Sequence, residues 1–146
     1  MFKKILIVCI GNICRSPTAE ILLREALAHS AIEVSSAGLA ALADNPIEPT
    51  AKMVLEEHGH VTKAHKASQL TPQSISGSDL ILVMEQGHIR GVLHIAPEAR
   101  GKVFLLGKWQ DNREIRDPYR QAKPAFVHVY ALIEEAVHAW AQRLAR

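Results

Sequence analysis

Ile5-Leu6-Ile7-Val8-Cys9-Ile10-Gly11-Asn12-Ile13-Cys14-Arg15-Ser16-Pro17 decides the architecture of this chain. The stretch opens on a continuous apolar run, the pattern of a parallel strand covered on both faces. Ser16-Pro17 predicts a helix start, with Ser at the N-cap and Pro at the first helical position. A cysteine ends the strand, a short loop follows, and an arginine and a serine lead into the helix.

Working outward, Ile21, Leu22, Leu23, Ala26 and Leu27 repeat with helical spacing. Residues 32–36 read as a second short strand, and 38–49 as a loop broken by Asn45-Pro46 and Pro49. Residues 50–58 look helical and Gly59 closes them. Leu80-Ile81-Leu82-Val83 marks a third buried strand within 79–84, and 102–106 a fourth. A short helix is expected over 87–93, a polar loop over 112–124 and a long amphipathic helix over 125–144. Its stripe runs through Phe126, Val129, Tyr130, Ile133, Val137, Trp140 and Leu144. Strands alternating with helices predict one α/β domain over residues 1–146, a doubly wound parallel sheet.

Composition narrows the function classes. The chain has 146 residues, 48% hydrophobic and 22% charged, ordinary for a globular domain. Seventeen Lys and Arg against fifteen Asp and Glu give +2, too balanced to require nucleic acid or a membrane surface as partner. The apolar start is too short for a signal core or a membrane span. This predicts a cytoplasmic protein whose two cysteines stay reduced.

The chemistry concentrates at the end of the first strand. Ligands in open parallel sheets bind beyond the carboxyl ends of the strands. A loop of this length can curl so that successive N–H groups converge on one point, and the helix N-terminus adds its positive end. Gly11 is expected to permit a conformation that a side chain would obstruct. Arg15 offers a planar fork matched to two phosphate oxygens. Cys9, at the bottom of that cradle, is favoured as a thiolate nucleophile. Attack on phosphorus also needs a proton donor, and Asp117, in Asp117-Pro118-Tyr119, is the candidate.

With those residues in place, the sequence resembles the low-molecular-weight protein tyrosine phosphatases along its whole length. Further matches are Ser36-Ala37-Gly38-Leu39, Ala64-His65-Lys66-Ala67 and Ala96-Pro97-Glu98 followed by Arg100-Gly101-Lys102. With Asp117-Pro118-Tyr119-Arg120, these resemble in particular the bacterial Wzb-type phosphatases of capsule and exopolysaccharide systems. The resemblance implies a three-layer α/β/α fold with a central four-stranded parallel sheet. It implies phosphotyrosine hydrolysis through a phosphocysteine, with no cofactor and no metal. Cys9 would be the nucleophile, Arg15 the phosphoryl clamp, and Asp117 the acid and then the base. Ile10, Gly11, Asn12, Ile13, Cys14, Arg15 and Ser16 would bind the phosphate. Asn12, Ser16, Ser36 and His65 would support the loop, and Ile10, Ile13, Leu42 and Tyr119 would line the aromatic slot. The implied partner is a phosphotyrosine protein, the C-terminal tail of an autophosphorylating bacterial tyrosine kinase, met by a monomer that neither enters a membrane nor binds nucleic acid.

Departures from the family pattern are Ser68 where Arg is common, Glu48-Pro49 for Asp-Pro, and Arg120 where animal members carry a second tyrosine. Arg120 would favour acidic or phosphorylated tails. Cys14 reads either as a filler or as a resolving thiol for oxidised Cys9. The absence of further cysteines disfavours a thioredoxin-coupled arsenate reductase, which shares the fold. The presence of both Cys9 and Asp117 disfavours a non-enzymatic phosphotyrosine reader. His58-Gly59-His60 with His65 is a weak metal pattern. His88 and His94 are expected to be solvated, and Trp109 could shape the Asp117 loop.

Overall fold

The computed structural model describes residues 2–62 and 64–145. Residues 143–146 read from the sequence as a solvated end, of which Arg146, like Met1 and Lys63, lies outside the described residues. Strand β1 (Lys4–Cys9) leads to α1 (Arg15–Ala26) and β2 (Glu33–Gly38), then α2 (Pro49–Glu57), α3 (Pro72–Ser76) and β3 (Leu80–Val83). Helix α4 (Gln86–Ile95), a 3-10 turn (Pro97–Ala99), β4 (Val103–Leu105) and α5 (Lys123–Leu144) complete the order. The four strands form one parallel sheet in the order β2-β1-β3-β4.

The unbroken apolar run of β1 has a direct structural cause. Ile5, Ile7 and Cys9 face a core shared with α1, α2 and α5. Leu6 and Val8 face a second core built with Ile75 of α3 and with Val92 and Ala96 at the end of α4. Both faces are covered, so neither can carry polar residues, and the three-layer α/β/α architecture follows. Because β1 has β2 on one side and β3 on the other, the chain winds in opposite senses from it. That is the topological switch point where a ligand crevice opens, and Cys9 stands at its carboxyl end.

Two elements escape the periodicity argument. Helix α3 is too short to show a repeat, although Thr71 caps it and Pro72 occupies its first turn. The 3-10 turn is a single turn behind Pro97. Strand β2 runs two residues beyond the expected end, pairing Ala37 with Val8 and Gly38 with Cys9. Glu48 caps α2 by accepting from Thr50 N at 2.6 Å and Ala51 N at 2.9 Å, so the longer carboxylate does at Glu48-Pro49 what Asp would do. Most of the α5 stripe is buried as expected, and Trp140 Nε1 donates to Leu106 O. Trp109 packs edge-on against Trp140 beneath Arg143, so its ring braces α5.

Candidate active site

The loop from Ile10 to Cys14 turns its carbonyls outward. Cys9 O, Ile10 O and Gly11 O accept from Leu39 N, Ala40 N and Leu42 N at 2.9, 2.9 and 3.0 Å. Ile13 O accepts from Glu48 N at 2.8 Å, and Asn12 O takes His65 Nε2 at 2.8 Å. The amides of Gly11, Asn12, Ile13 and Cys14 donate to no protein acceptor among the described residues. Backbone donors are rarely left without partners inside a protein, so a run of them marks an anion site.

The conformation that turns the amides inward is carried by Asn12, whose φ is 60°. This corrects the expectation for Gly11. Gly11 lies outside the left-handed region, and a Cβ there would meet only Ile13 and Leu42 at ordinary contact distances of 3.8–3.9 Å. The demanding glycine is Gly38, where a Cβ would sit 2.4 Å from Ile10 O. The helix also starts two residues earlier than Ser16-Pro17 implies. Cys14 is the N-cap, with no side-chain cap, and Pro17 is the third helical residue. Ser16 is thereby released from capping, and its hydroxyl turns to the loop.

There Ser16 Oγ lies 2.9 Å from Cys9 Sγ. Asn12 Nδ2 donates to Ser16 Oγ at 2.7 Å and to Ser36 Oγ at 3.0 Å, while Ser68 N donates to Asn12 Oδ1 at 2.9 Å. Ser36 Oγ in turn donates to Glu20. The structure thus brings together Asn12, Ser16, Ser36 and His65 around the loop. It adds Glu20 and the Ser68 backbone, which sequence reasoning missed; because the latter contact is an amide, no side chain at 68 could have signalled it.

Arg15 is 2% exposed. Its Nη1 donates to Glu85 Oε2 at 2.5 Å and to Ile115 O at 2.7 Å, and Nη2 lies 3.7 Å from Asp117 Oδ2. Asp117 is half exposed and is itself set by Tyr119 N, which donates to its Oδ1 at 3.0 Å. Glu85 is a third missed residue; it lies two residues beyond the carboxyl end of β3, at the N-cap of α4, where the strand rule alone would have looked for it. Cys9, Arg15 and Asp117 line one cleft of about 210 Å³ whose walls are Ile10, Ile13, Ala40, Leu42 and Tyr119. The floor is polar and donor-rich, and the walls are apolar. Such a cleft can hold a tetrahedral oxyanion at its base and a flat apolar group above it.

His88 overturns its expectation: it is 5% exposed, behind the Arg15–Glu85 pair. Cys14 is buried, and burial, with Glu48 and Asp117 adding, pushes its thiol far above the ordinary range, while Arg15 opposes. His58 stacks on Tyr130, and His60 binds Glu25 and Tyr130. Among the described residues, no group of three or more His, Cys, Asp or Glu could hold a metal ion, and no helix is long and apolar enough to cross a membrane.

The comparisons with known proteins agree with this geometry. The low molecular weight phosphotyrosine protein phosphatase family model matches residues 4–146. The chain is 48% identical over 144 residues to the low molecular weight protein-tyrosine-phosphatase Wzb of Salmonella typhimurium, covering 99% of this chain and 95% of that protein. The crystal structure of the tyrosine phosphatase Wzb from Escherichia coli K30 with sulphate superposes with a TM-score of 0.95 at 45% identity, over 99% of each chain. Vibrio vulnificus Wzb in complex with benzylphosphonate gives 0.94 at 48% identity, over 98% of this chain and 99% of that one. An oxyanion cradle closing on a cysteine, inside a sequence that follows these relatives from end to end, leaves one assignment: the chain belongs to the low molecular weight phosphotyrosine protein phosphatases.

Proposed function

We propose that this protein hydrolyses protein phosphotyrosine through Cys9, Arg15 and Asp117. The observation that carries the reading is the run of unpartnered amides around Cys9 at the floor of an apolar cleft. In the first step the Cys9 sulfur forms a bond to phosphorus while the phenolic P–O bond breaks, and Asp117 gives its proton to the leaving oxygen. In the second, water loses a proton to Asp117 and attacks phosphorus, releasing phosphate and the Cys9 thiolate. Ser16 Oγ, 2.9 Å from the sulfur, donates a hydrogen bond to it and holds it in line with the phosphoryl site. The loop amides and Arg15 hold the equatorial oxygens in both steps, so stabilisation is preorganised before charge moves. Ile10, Ile13, Leu42 and Tyr119, which line the same cleft as Cys9, clasp the ring. The benzylphosphonate bound by the Vibrio vulnificus relative supports an aryl group over a phosphoryl floor.

The partner this reading favours is the phosphorylated tail of a bacterial tyrosine kinase of exopolysaccharide export, met in the cytoplasm by a monomer. Arg120 supports an anionic tail. Its φ is 67°, its guanidinium lies 5.4 Å over the Tyr119 ring, and no carboxylate approaches within salt-bridge range among the described residues. On this reading Cys14 resolves an oxidised Cys9: sulfenic acid and thiol condense to a disulfide and water. Peroxide treatment followed by mass spectrometry should show the Cys9–Cys14 crosslink; overoxidised Cys9 without it refutes that role.

The direct test is hydrolysis of para-nitrophenyl phosphate and of a phosphotyrosine peptide under reducing conditions. Turnover that vanishes in Cys9→Ser is expected, and a wild type inert towards both substrates would overturn the proposal.

A further inference from the structure

We infer that His88 is a positioning residue for the reaction, acting through Glu85 on Arg15; this rests on the phosphatase reading above. His88 is the third residue of α4, at the turn out of β3, and is 5% exposed. Its Nδ1 is approached at 3.3 Å by two backbone donors, Met84 N and Glu85 N. Two donors on Nδ1 require a lone pair there, so the neutral ring carries its hydrogen on Nε2. Nε2 lies 3.8 Å from Glu85 Oε2, the same oxygen that accepts from Arg15 Nη1. That separation is an electrostatic contact, longer than a hydrogen bond.

One ring therefore does two things. Its lone pair fixes the backbone of the strand-to-helix turn that carries Glu85. Its N–H edge faces the carboxylate and orients it towards the arginine. Arg15 needs this because Glu85 and the Ile115 carbonyl occupy Nη1, leaving Nη2 towards Asp117 and the cleft. Glu85 Oε1 already lies 3.8 Å from Arg116 Nη1, and a carboxylate drawn fully to that side would free Arg15 to rotate off the phosphate site. The charged groups around the ring are Arg15, Glu85, Glu114 and Asp117. Burial and Arg15 both disfavour a proton on it, which keeps Nδ1 available to the amides.

Two half-replacements separate the roles. His88→Asn keeps an acceptor near the Nδ1 position and loses the Nε2 donor. His88→Gln keeps a donor near Nε2 and loses the acceptor. The measurements are thermal unfolding, kcat and KM with para-nitrophenyl phosphate, and the competitive inhibition constant of inorganic phosphate. His88→Asn should unfold near wild type yet raise the phosphate constant about tenfold, below the roughly hundredfold that a 1 Å misplacement costs. His88→Gln should lose more stability and bind phosphate more tightly than His88→Asn. Wild-type phosphate affinity in His88→Asn, or affinity that merely tracks stability across both variants, would overturn the inference. If the wild type itself fails to turn over the aryl phosphate, it is the phosphatase reading that fails.

Discussion

Asn12→Ala tests the construction of the phosphate loop more sharply than any change to a reacting group. The side chain is wholly buried and makes three hydrogen bonds, at 2.7, 3.0 and 2.9 Å, to Ser16, Ser36 and the Ser68 amide. Each such bond contributes about 1 kcal/mol net. The backbone stands at a φ of 60°, where Asn is tolerated and Ala costs about 1 kcal/mol more. The sum is a destabilisation of about 3–4 kcal/mol, or a Tm lowered by roughly 6–16 °C for a domain of this size. Asn12→Gly loses the same three bonds without the backbone strain, so it should retain about 1 kcal/mol relative to Ala. Urea unfolding of both variants, beside turnover of para-nitrophenyl phosphate, reads the two contributions separately. Activity should fall at least about tenfold in both, because the amides lose their common focus. Equal stability of the Ala and Gly variants would refute the backbone argument, and wild-type stability in either would refute the network.

Asp117→Asn should bind phosphate within about threefold of wild type yet lose about a hundredfold or more in kcat, together with the bell shape of its pH profile; a profile unchanged in shape would remove Asp117 from the acid role. Gly38→Ala forces a Cβ to 2.4 Å from Ile10 O and should cost about 1–3 kcal/mol in urea unfolding, with activity falling as the loop shifts. Arg120→Ala should reduce the kcat/KM ratio of acid-flanked to neutral phosphotyrosine peptides about threefold at low salt, with the difference shrinking as salt rises; an unchanged ratio refutes the anionic-tail reading. Burial and Arg15 hold His88 below its ordinary pKa of 6.5. The unfolded chain therefore binds that proton first, and the contribution is full above 6.5 and fades as pH falls through the folded value. Unfolding midpoints of wild type should drop more steeply below that pH than those of His88→Gln, and parallel curves would refute this.

What the sequence revealed and what it hid divide along a physical line. The sheet was legible because burial on both faces leaves a direct mark: Leu80-Ile81-Leu82-Val83 has room for nothing polar. Cys9, Arg15 and Asp117, which the structure brings into one cleft, were legible because the proposed chemistry calls for those side-chain types. The scaffold that aims them was not, since much of it is backbone. The Ser68 amide, the Ile115 carbonyl and the outward carbonyls of the loop have no residue type to announce them. Gly11 and Gly38 show the same limit from the other side. A glycine in the loop that follows Cys9 invites a conformational explanation, yet Asn12 takes the left-handed position and the steric demand falls on Gly38, 27 positions downstream of Gly11, because the end of β2 lies directly against Ile10 O.

Ser16 and His88 extend the point to side chains. Helix-start statistics assign Ser16 to a cap, but the N-cap at Cys14 leaves its hydroxyl free to reach the sulfur. A histidine on a short helix reads as solvated, but the turn out of β3 folds the ring under Arg15. Ser16 gives up the cap for a contact with the sulfur, whereas His88 keeps a local role, its Nδ1 accepting from Met84 N and Glu85 N in its own turn. The sulfur's donor comes from α1 and the arginine's carboxylate from the turn before α4, so the two halves of the site are held by opposite sides of β1. A perturbation on the β3 side should therefore reach phosphate affinity through Arg15 while leaving the alkylation rate of Cys9 unchanged, and one on the α1 side, such as Ser16→Ala, should slow that alkylation first.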